Sequence, residues 1–423
     1  MKKSFVCFVL LLMSCCLSNA ATKGPITLEF WNGFTGPDCK YFQQEIDAFN
    51  EEYKGQIQVN MVTMRWDDFY SKLALAVRTL RGPDIGVVHF DNIAVVVYQG
   101  VVMELDKYVD QFPREDFVKS VWNVSNIDGH QYGIPLDFHP LVFYWNKELF
   151  AKVGLDPENP PKNRKEFLEV CKVLKDADLK NNGGKVWPCM IPSTWPHFLL
   201  WQHIFFCNGG EVCDPNYTKA TYDSPAGRDA IGFLYDLIYK YQYSPPNIVG
   251  TPGSECMDSF MRGNLAMMID GVWMLTSFKD TNALDFGAKA MINLGTGEDK
   301  VWSGSHTMVL FNKRKPDEAR TKAAITFVRY ISDHSYEWAN TGMIPARYSV
   351  LSSEKFLKLP FLPGIAADIE KFTFPAPHYK YPEAVQPLTS EYISLCFLNK
   401  LDPNTALKKA AITSTARLSQ DLD

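Results

Sequence analysis

The sequence predicts an α/β fold arranged as two lobes. Three observations carry that expectation. Residues 26–100 alternate strand and helix three times, the pattern of a parallel sheet covered by helices. The alternation breaks at Gly133-Ile134-Pro135, after which a new aromatic strand and a new helix begin. The chain of 423 residues is also too long for one ordinary hydrophobic core.

The first element, "ITLEFWNGF" (residues 26–34), is an apolar strand ending in a glycine-containing loop. In "CKYFQQEIDAFNEEYKG" Phe42, Ile46, Phe49 and Tyr53 recur at helical spacing, and Gly55 stops the helix. "QIQVNMVTM" follows as a strand. A helix capped by Asp67 or Asp68 then runs through Leu73, Val77 and Leu80 to Gly82-Pro83. "DIGVVHF" is short and apolar, as expected of a strand covered on both faces, and "DNIAVVVYQG" is the third helix.

This first lobe is incomplete when the chain reaches Gly133-Ile134-Pro135. Ile134 precedes a proline and is held out of the helical region, so the step is extended. "LVFYW" is the next strand. Asn146 caps a helix that turns Leu149, Phe150 and Val153 inward and ends at Gly154. Further helices are expected near 164–176, 198–207 and 226–241. "CMDSFMRGNLAMMIDGVWML" reads as a helix, a turn at Gly263-Asn264, a strand and a glycine-started helix. "SGSHTMVLFNK" is another strand, and "PDEARTKAAITFVRYISD" is a helix with Ala319, Ala323, Phe327 and Tyr330 on one face. A terminal helix spans 403–422. No linker or repeat separates independent domains, so several short crossings join the lobes.

Residues 1–20 read as a signal peptide. Lys2 and Lys3 precede an apolar stretch too short to span a membrane, and Ser18-Asn19-Ala20 suits cleavage after Ala20. Leu12-Met13-Ser14-Cys15 offers a second reading, a lipoprotein box that would leave a lipidated Cys15. Both imply export, to the periplasm or to a lipid anchor outside the cytoplasmic membrane. Cleavage removes two lysines and no acid, moving the net charge from −5 to −7, which argues against a nucleic-acid partner. Seven cysteines remain, an odd number, with Cys189, Cys207 and Cys213 the expected source of a disulfide. There is no C-x-x-C pair, so no metal and no cofactor are expected.

Candidate binding residues lie at the ends of elements, where α/β sheets place their ligands. Trp31, Trp195, Trp201 and Trp273 could stack on the apolar face of a sugar ring, or simply plug gaps. Asp137, Asp91 and Asp270, in that order, could each accept hydroxyls; Asp91 and Asp270 could instead hold their own turns. Ser305 and His306 enter a strand and could bond a hydroxylated ligand. Arg347 could clamp an anionic or hydroxylated group, or sit in a salt bridge. No G-x-S-x-G, H-E-x-x-H, P-loop or G-x-G-x-x-G motif is present, so no enzyme is expected.

Six segments in order, "ITLEFWNGF", "RGPDIGVVHFD", "YGIPLDFHPLVFYWNKELFAKVGLD", "SFMRGNLAMMIDGVW", "SGSHTMVLF" with "AAITFVRYIS", and "TGMIPARYSVL", resemble the extracellular solute-binding proteins of the ABC-transporter sugar-binding family. That group contains the maltose-binding protein, and the likeness covers nearly all of the chain after residue 20. The resemblance implies a two-lobed periplasmic-binding-protein fold with an inter-lobe ligand cleft. Its hinge of two or three crossings should fall near 134–137, 301–305 and 344–347. It also implies lobes of 21–134 plus 304–345 and of 135–303 plus 346–423. The implied function is capture of a mono- or oligosaccharide by a monomer for ABC permease subunits. Trp273 and Asp91 match ligand-facing family positions, and Trp31 with Phe34, and Trp195 with Trp201, fall in segments that line the cleft. Phe90-Asp91, where many members have a tryptophan nearby, and Phe138-His139 depart from the pattern, which leaves the particular sugar open. A polyol, a sugar phosphate or another small solute is the alternative ligand; an exported glycoside-active enzyme is the rival class.

Overall fold

The computed structural model describes residues 24–248, 254–280, 284–375 and 377–420. The expected signal peptide and Cys15 lie outside the described residues. Two sheets dominate. The first has five strands in the order Ile57–Thr63, Ile26–Asn32, Ile85–His89, His306–Leu310 and Ile134–Pro135. Its first three strands run parallel, and His306–Leu310 runs antiparallel to both of its neighbours. The helix Pro37–Glu52 covers this sheet because Phe42, Ile46 and Phe49 form one buried face, as their spacing requires. Phe42 stacks on Phe30 at 5.0 Å. The helix Glu318–Asp333 is capped by Asp317 and meets the same core with Phe327. Ala319, expected on that face, is instead exposed in the first turn.

The second sheet is built around the ten-residue strand Asp137–Asn146, buried along its whole length. Met267–Gly271, Phe286–Ala290, Val301–Gly304 and Ile344–Pro345 all pair with it antiparallel. A strand on which four others depend has no solvent face, so its sequence is apolar without alternation. At its end the Asn146 side chain accepts from the Leu149 N–H (2.9 Å), the expected cap.

The chain passes between the sheets three times. Ile134–Pro135 belongs to the first sheet and Asp137–Asn146 to the second, with Leu136 between them. "SGSHTMVLFNK", expected to be one strand, is divided at Ser305: its first residues end the strand Val301–Gly304 of the second sheet, and His306–Leu310 belongs to the first. The third passage is at Ile344–Pro345. The crossings are stitched together, since the Leu136 N–H donates to the His306 carbonyl (2.8 Å) and the Ala346 N–H to the Leu136 carbonyl (3.3 Å). Away from the crossings the lobes touch through aromatic rings, Phe90 against Trp302 (6.0 Å) and Tyr98 stacked on Tyr379 (3.9 Å, 3° between planes).

The expected disulfide among Cys189, Cys207 and Cys213 is not formed. All seven described cysteines are free thiols. Cys189 adjoins Cys171 instead, and the Cys207 thiol donates to the Lys300 carbonyl at 3.2 Å. Among the described residues, no helix is long and apolar enough to cross a membrane.

Candidate functional site

The three crossings bring residues far apart in sequence onto one carboxylate. Asp137, the first residue past the first crossing, is fully buried. Its oxygens meet four donors: His139 Nδ1 (3.0 Å), His306 Nδ1 (2.8 Å), the His306 backbone N–H (3.1 Å) and Trp338 Nε1 (2.6 Å). Burial alone would raise the carboxyl pKa, yet His306 and His139 together hold it well below the usual carboxylate range. Asp137 is therefore an ionised carboxylate fastening a first-sheet histidine to its own second-sheet strand.

Around this carboxylate lie buried and half-buried aromatic rings. Trp66 lies parallel to the His306 ring (5.6 Å, 11°) and packs against His89 at 4.1 Å. His306 is 4.4 Å from His139, and His139 is 5.9 Å from Trp273, which in turn faces Trp195 at 6.4 Å. The rings make a continuous strip from the first lobe to the second. His89 is fixed by Tyr70, whose hydroxyl meets its Nδ1 at 2.8 Å; burial and the neighbouring histidines hold its pKa well below the ordinary value.

Three glycines let rings of the strip lie directly against backbone. A Cβ built on Gly33 would sit 2.0 Å from the Trp66 ring, one on Gly271 2.1 Å from Trp273, and one on Gly304 2.2 Å from His139 Nε2. Each ring rests directly on backbone that only glycine leaves bare. The "NGF", "DGVW" and "SGSH" segments thus supply platforms as well as turns.

The structure brings Asp137, His306, Trp195 and Trp273 together, with Trp195 44% exposed. Ser305 is buried at the crossing, its hydroxyl turned to the His306 carbonyl (3.4 Å). Trp31 is half-buried beside Trp66, and its Nε1 is buried without a partner among the described residues. Asp91 is half-buried, bonded to Asn92 at 2.9 Å, and burial raises its carboxyl pKa.

Four expected contacts are corrected. Trp201 is completely buried: its indole donates to the Gly227 carbonyl (3.2 Å) and stacks on Phe205, so it is core of the second lobe. Phe34 is likewise sealed, between Phe42 and Trp338. Arg347 is spent on Asp116 and Asp333, both at 2.7 Å, which pins the third crossing and takes up its charge. Asp270 is buried, accepting from the Gly271 N–H (2.7 Å) and from the Trp273 side chain, so it props the Trp273 platform from behind. Sequence reasoning missed Trp66, His89 and Trp338; it set His139 beside Asp137 at the cleft mouth, as a departure from the family pattern, without making it a contact. Trp66 was findable, since it opens the helix Trp66–Arg78 and so stands at an element end like the tryptophans that were chosen.

Burial pushes the Asp270 carboxyl up to about 7. The unfolded chain ionises it near 3.8, so between those values only the folded state keeps the proton and stability falls as pH rises. Asp270→Asn removes that penalty. Urea unfolding should show the variant more stable by about 2–4 kcal/mol at pH 8, with the gap closing toward pH 4. A constant gap at both pH values would contradict this account.

Comparison with known proteins places this geometry in context. The family model described as bacterial extracellular solute-binding protein matches residues 36–337. The arabinooligosaccharide-binding protein of Halalkalibacterium halodurans is 27% identical over 349 residues, covering 79% of this chain and 74% of that one. The sn-glycerol-3-phosphate-binding periplasmic protein UgpB of Escherichia coli is 24% identical over 355 residues, covering 78% and 77%. Among solved structures, an ABC transporter solute-binding protein from Thermotoga lettingae bound with α-D-tagatose superposes with a TM-score of 0.80 at 21% identity, covering 93% of this chain and all of that one.

Proposed function

The chain belongs to the bacterial extracellular solute-binding protein family, and from that premise we propose that it captures a neutral carbohydrate between its lobes. The observation that carries this reading is the ring strip from Trp66 to Trp273, which crosses between the lobes over the buried Asp137 carboxylate. Indole faces suit the apolar faces of sugar rings, and imidazoles and carboxylates suit their hydroxyls. A phosphate ester calls for a free cation, and Arg347 is already paired twice. The glycerol-phosphate chemistry of one relative is therefore the weaker alternative.

The protein works by closure. Ligand contacts shared by both lobes stabilise the closed arrangement, and the closed form is presented to the permease of an ABC importer. On this reading it is an exported monomer, processed after Ala20 or lipidated at Cys15, and performs no chemistry on its ligand. Its lobes are 21–134 with 304–345 and 135–303 with 346–423; most strands divide between the two sheets near these bounds, while Ile344–Pro345, Gly304 and Pro135 pair across them.

Isothermal titration of ligand-stripped protein against arabino-oligosaccharides, maltose, tagatose, glycerol 3-phosphate and glycerophosphocholine tests the proposal. Micromolar or tighter binding of a neutral sugar is expected, with no product formed. Binding confined to the phosphate esters, or turnover of any glycan, overturns it.

A further inference from the structure

The ring strip explains contact with a sugar, but it does not explain why two imidazoles converge on one buried carboxylate beneath it. We propose that Asp137, His139 and His306 together hold one divalent transition-metal ion of the zinc class. The ion would share His139 and His306 with the ring strip, but its binding does not require that a sugar binds.

Three residues each offer a donor atom, and all three donors lie within 4.8 Å of one another in a buried setting. Asp137 is 3.0 Å from His139 Nδ1 and 2.8 Å from His306 Nδ1. Donors about 2.0–2.2 Å from a tetrahedral zinc stand roughly 3.4 Å apart, so each carboxylate–imidazole pair, His139 on Oδ1 and His306 on Oδ2, would part by about half an ångström. Two imidazole nitrogens and one carboxylate suit zinc, iron, cobalt or nickel, whereas calcium and magnesium prefer oxygen alone.

The groups behind the donors are also in place. Metal-binding carboxylates and imidazoles need outer partners that fix their orientation. Here Trp338 Nε1 (2.6 Å) and the His306 N–H (3.1 Å) hold the carboxylate. The His139 ring rests on Gly304, and His306 is wedged between the parallel Trp66 ring and the edge of Phe34 (5.2 Å, 86°). His139 and Asp137 belong to the second sheet and His306 to the first, so an ion would cross-link the two lobes at the hinge. Sequence spacing could not reveal the site, since Asp137 and His306 are 169 positions apart.

The exposed group Glu104, Asp106 and His130 is the built-in control, because it could also attract an ion. Protein treated with EDTA should be dialysed against zinc and its metal content measured, with the absorption of added cobalt reporting nitrogen ligation. The wild type and His130→Ala should take up one ion per chain and melt at higher temperature with zinc present. His139→Gln and His306→Gln should bind at least about 100-fold more weakly. The inference is overturned if the wild type takes up no ion, if both glutamine variants retain it, or if His130→Ala alone loses it. Titrating sugars into the EDTA-treated protein separates the two readings. Sugar binding without ion uptake leaves the carbohydrate reading standing and removes the metal; ion uptake without sugar binding does the reverse.

Discussion

Replacing Asp137 with alanine is expected to destabilise the protein by about 3–5 kcal/mol, the largest loss from any single substitution at the crossings. The carboxylate is completely buried and accepts from two imidazoles, one backbone N–H and one indole. Alanine leaves those donors in a dry site, each losing its partner at roughly 1–3 kcal/mol before relaxation. Asp137→Asn keeps the shape but turns an amide NH₂ toward donors, so about half the loss should remain. The sign of the pH dependence follows from the depressed carboxyl pKa. Its stabilisation is fully present well above the unfolded value of 3.8 and is lost as pH falls through that value toward the folded one. Urea unfolding in EDTA should therefore give a constant gap between wild type and Asp137→Ala from pH 6 to 8, narrowing below about pH 4. A gap under about 1 kcal/mol at pH 7 would show that the network is ornamental to the fold.

The contrast between what the sequence disclosed and what it concealed has a physical basis. Elements set by local chemistry were readable. The helix Arg164–Asp176 has its Asn163 cap, and Asn146 caps Lys147–Lys152, because caps and periodicity act within a few residues. Trp273 was readable too, since a tryptophan after a strand-end glycine is local information. The hinge network was not, because residues 66, 89, 137, 139, 306 and 338 converge only once three crossings lie side by side. Ser305 shows the difficulty in miniature. "SGSHTMVLF" looks like one strand because no proline interrupts it; the family resemblance put a crossing near 301–305, and the pairing partners fix the change of sheet at Ser305. Trp201 went wrong for a reason that the sequence did contain. Every residue of His197–Cys207 is buried, and a helix apolar on all sides belongs inside a lobe rather than at a cleft.

The platform glycines lead to the second large effect, on ligand affinity. Trp273→Ala should weaken the neutral sugar identified by titration about 30-fold or more, as loss of an anchoring aromatic does at a binding hot spot. Trp66→Ala should do the same from the opposite lobe, because both rings belong to the strip that runs through His306 and His139. Both indoles are only half-buried, so neither change should cost the fold much. Gly271→Ala and Gly33→Ala then ask whether placement matters as much as presence. An added methyl at either position would fall about 2 Å from ring carbons, well inside contact distance, so the indole must swing away although its chemistry is intact. Affinity should drop by an amount comparable to removing the ring, whereas Trp195→Ala, at the exposed end of the strip, should lose less. If the glycine variants bind as tightly as the wild type while the tryptophan variants do not, the rings act without their platforms. If Trp66→Ala and Trp273→Ala both bind normally, the ligand sits elsewhere and the ring strip is core rather than cleft.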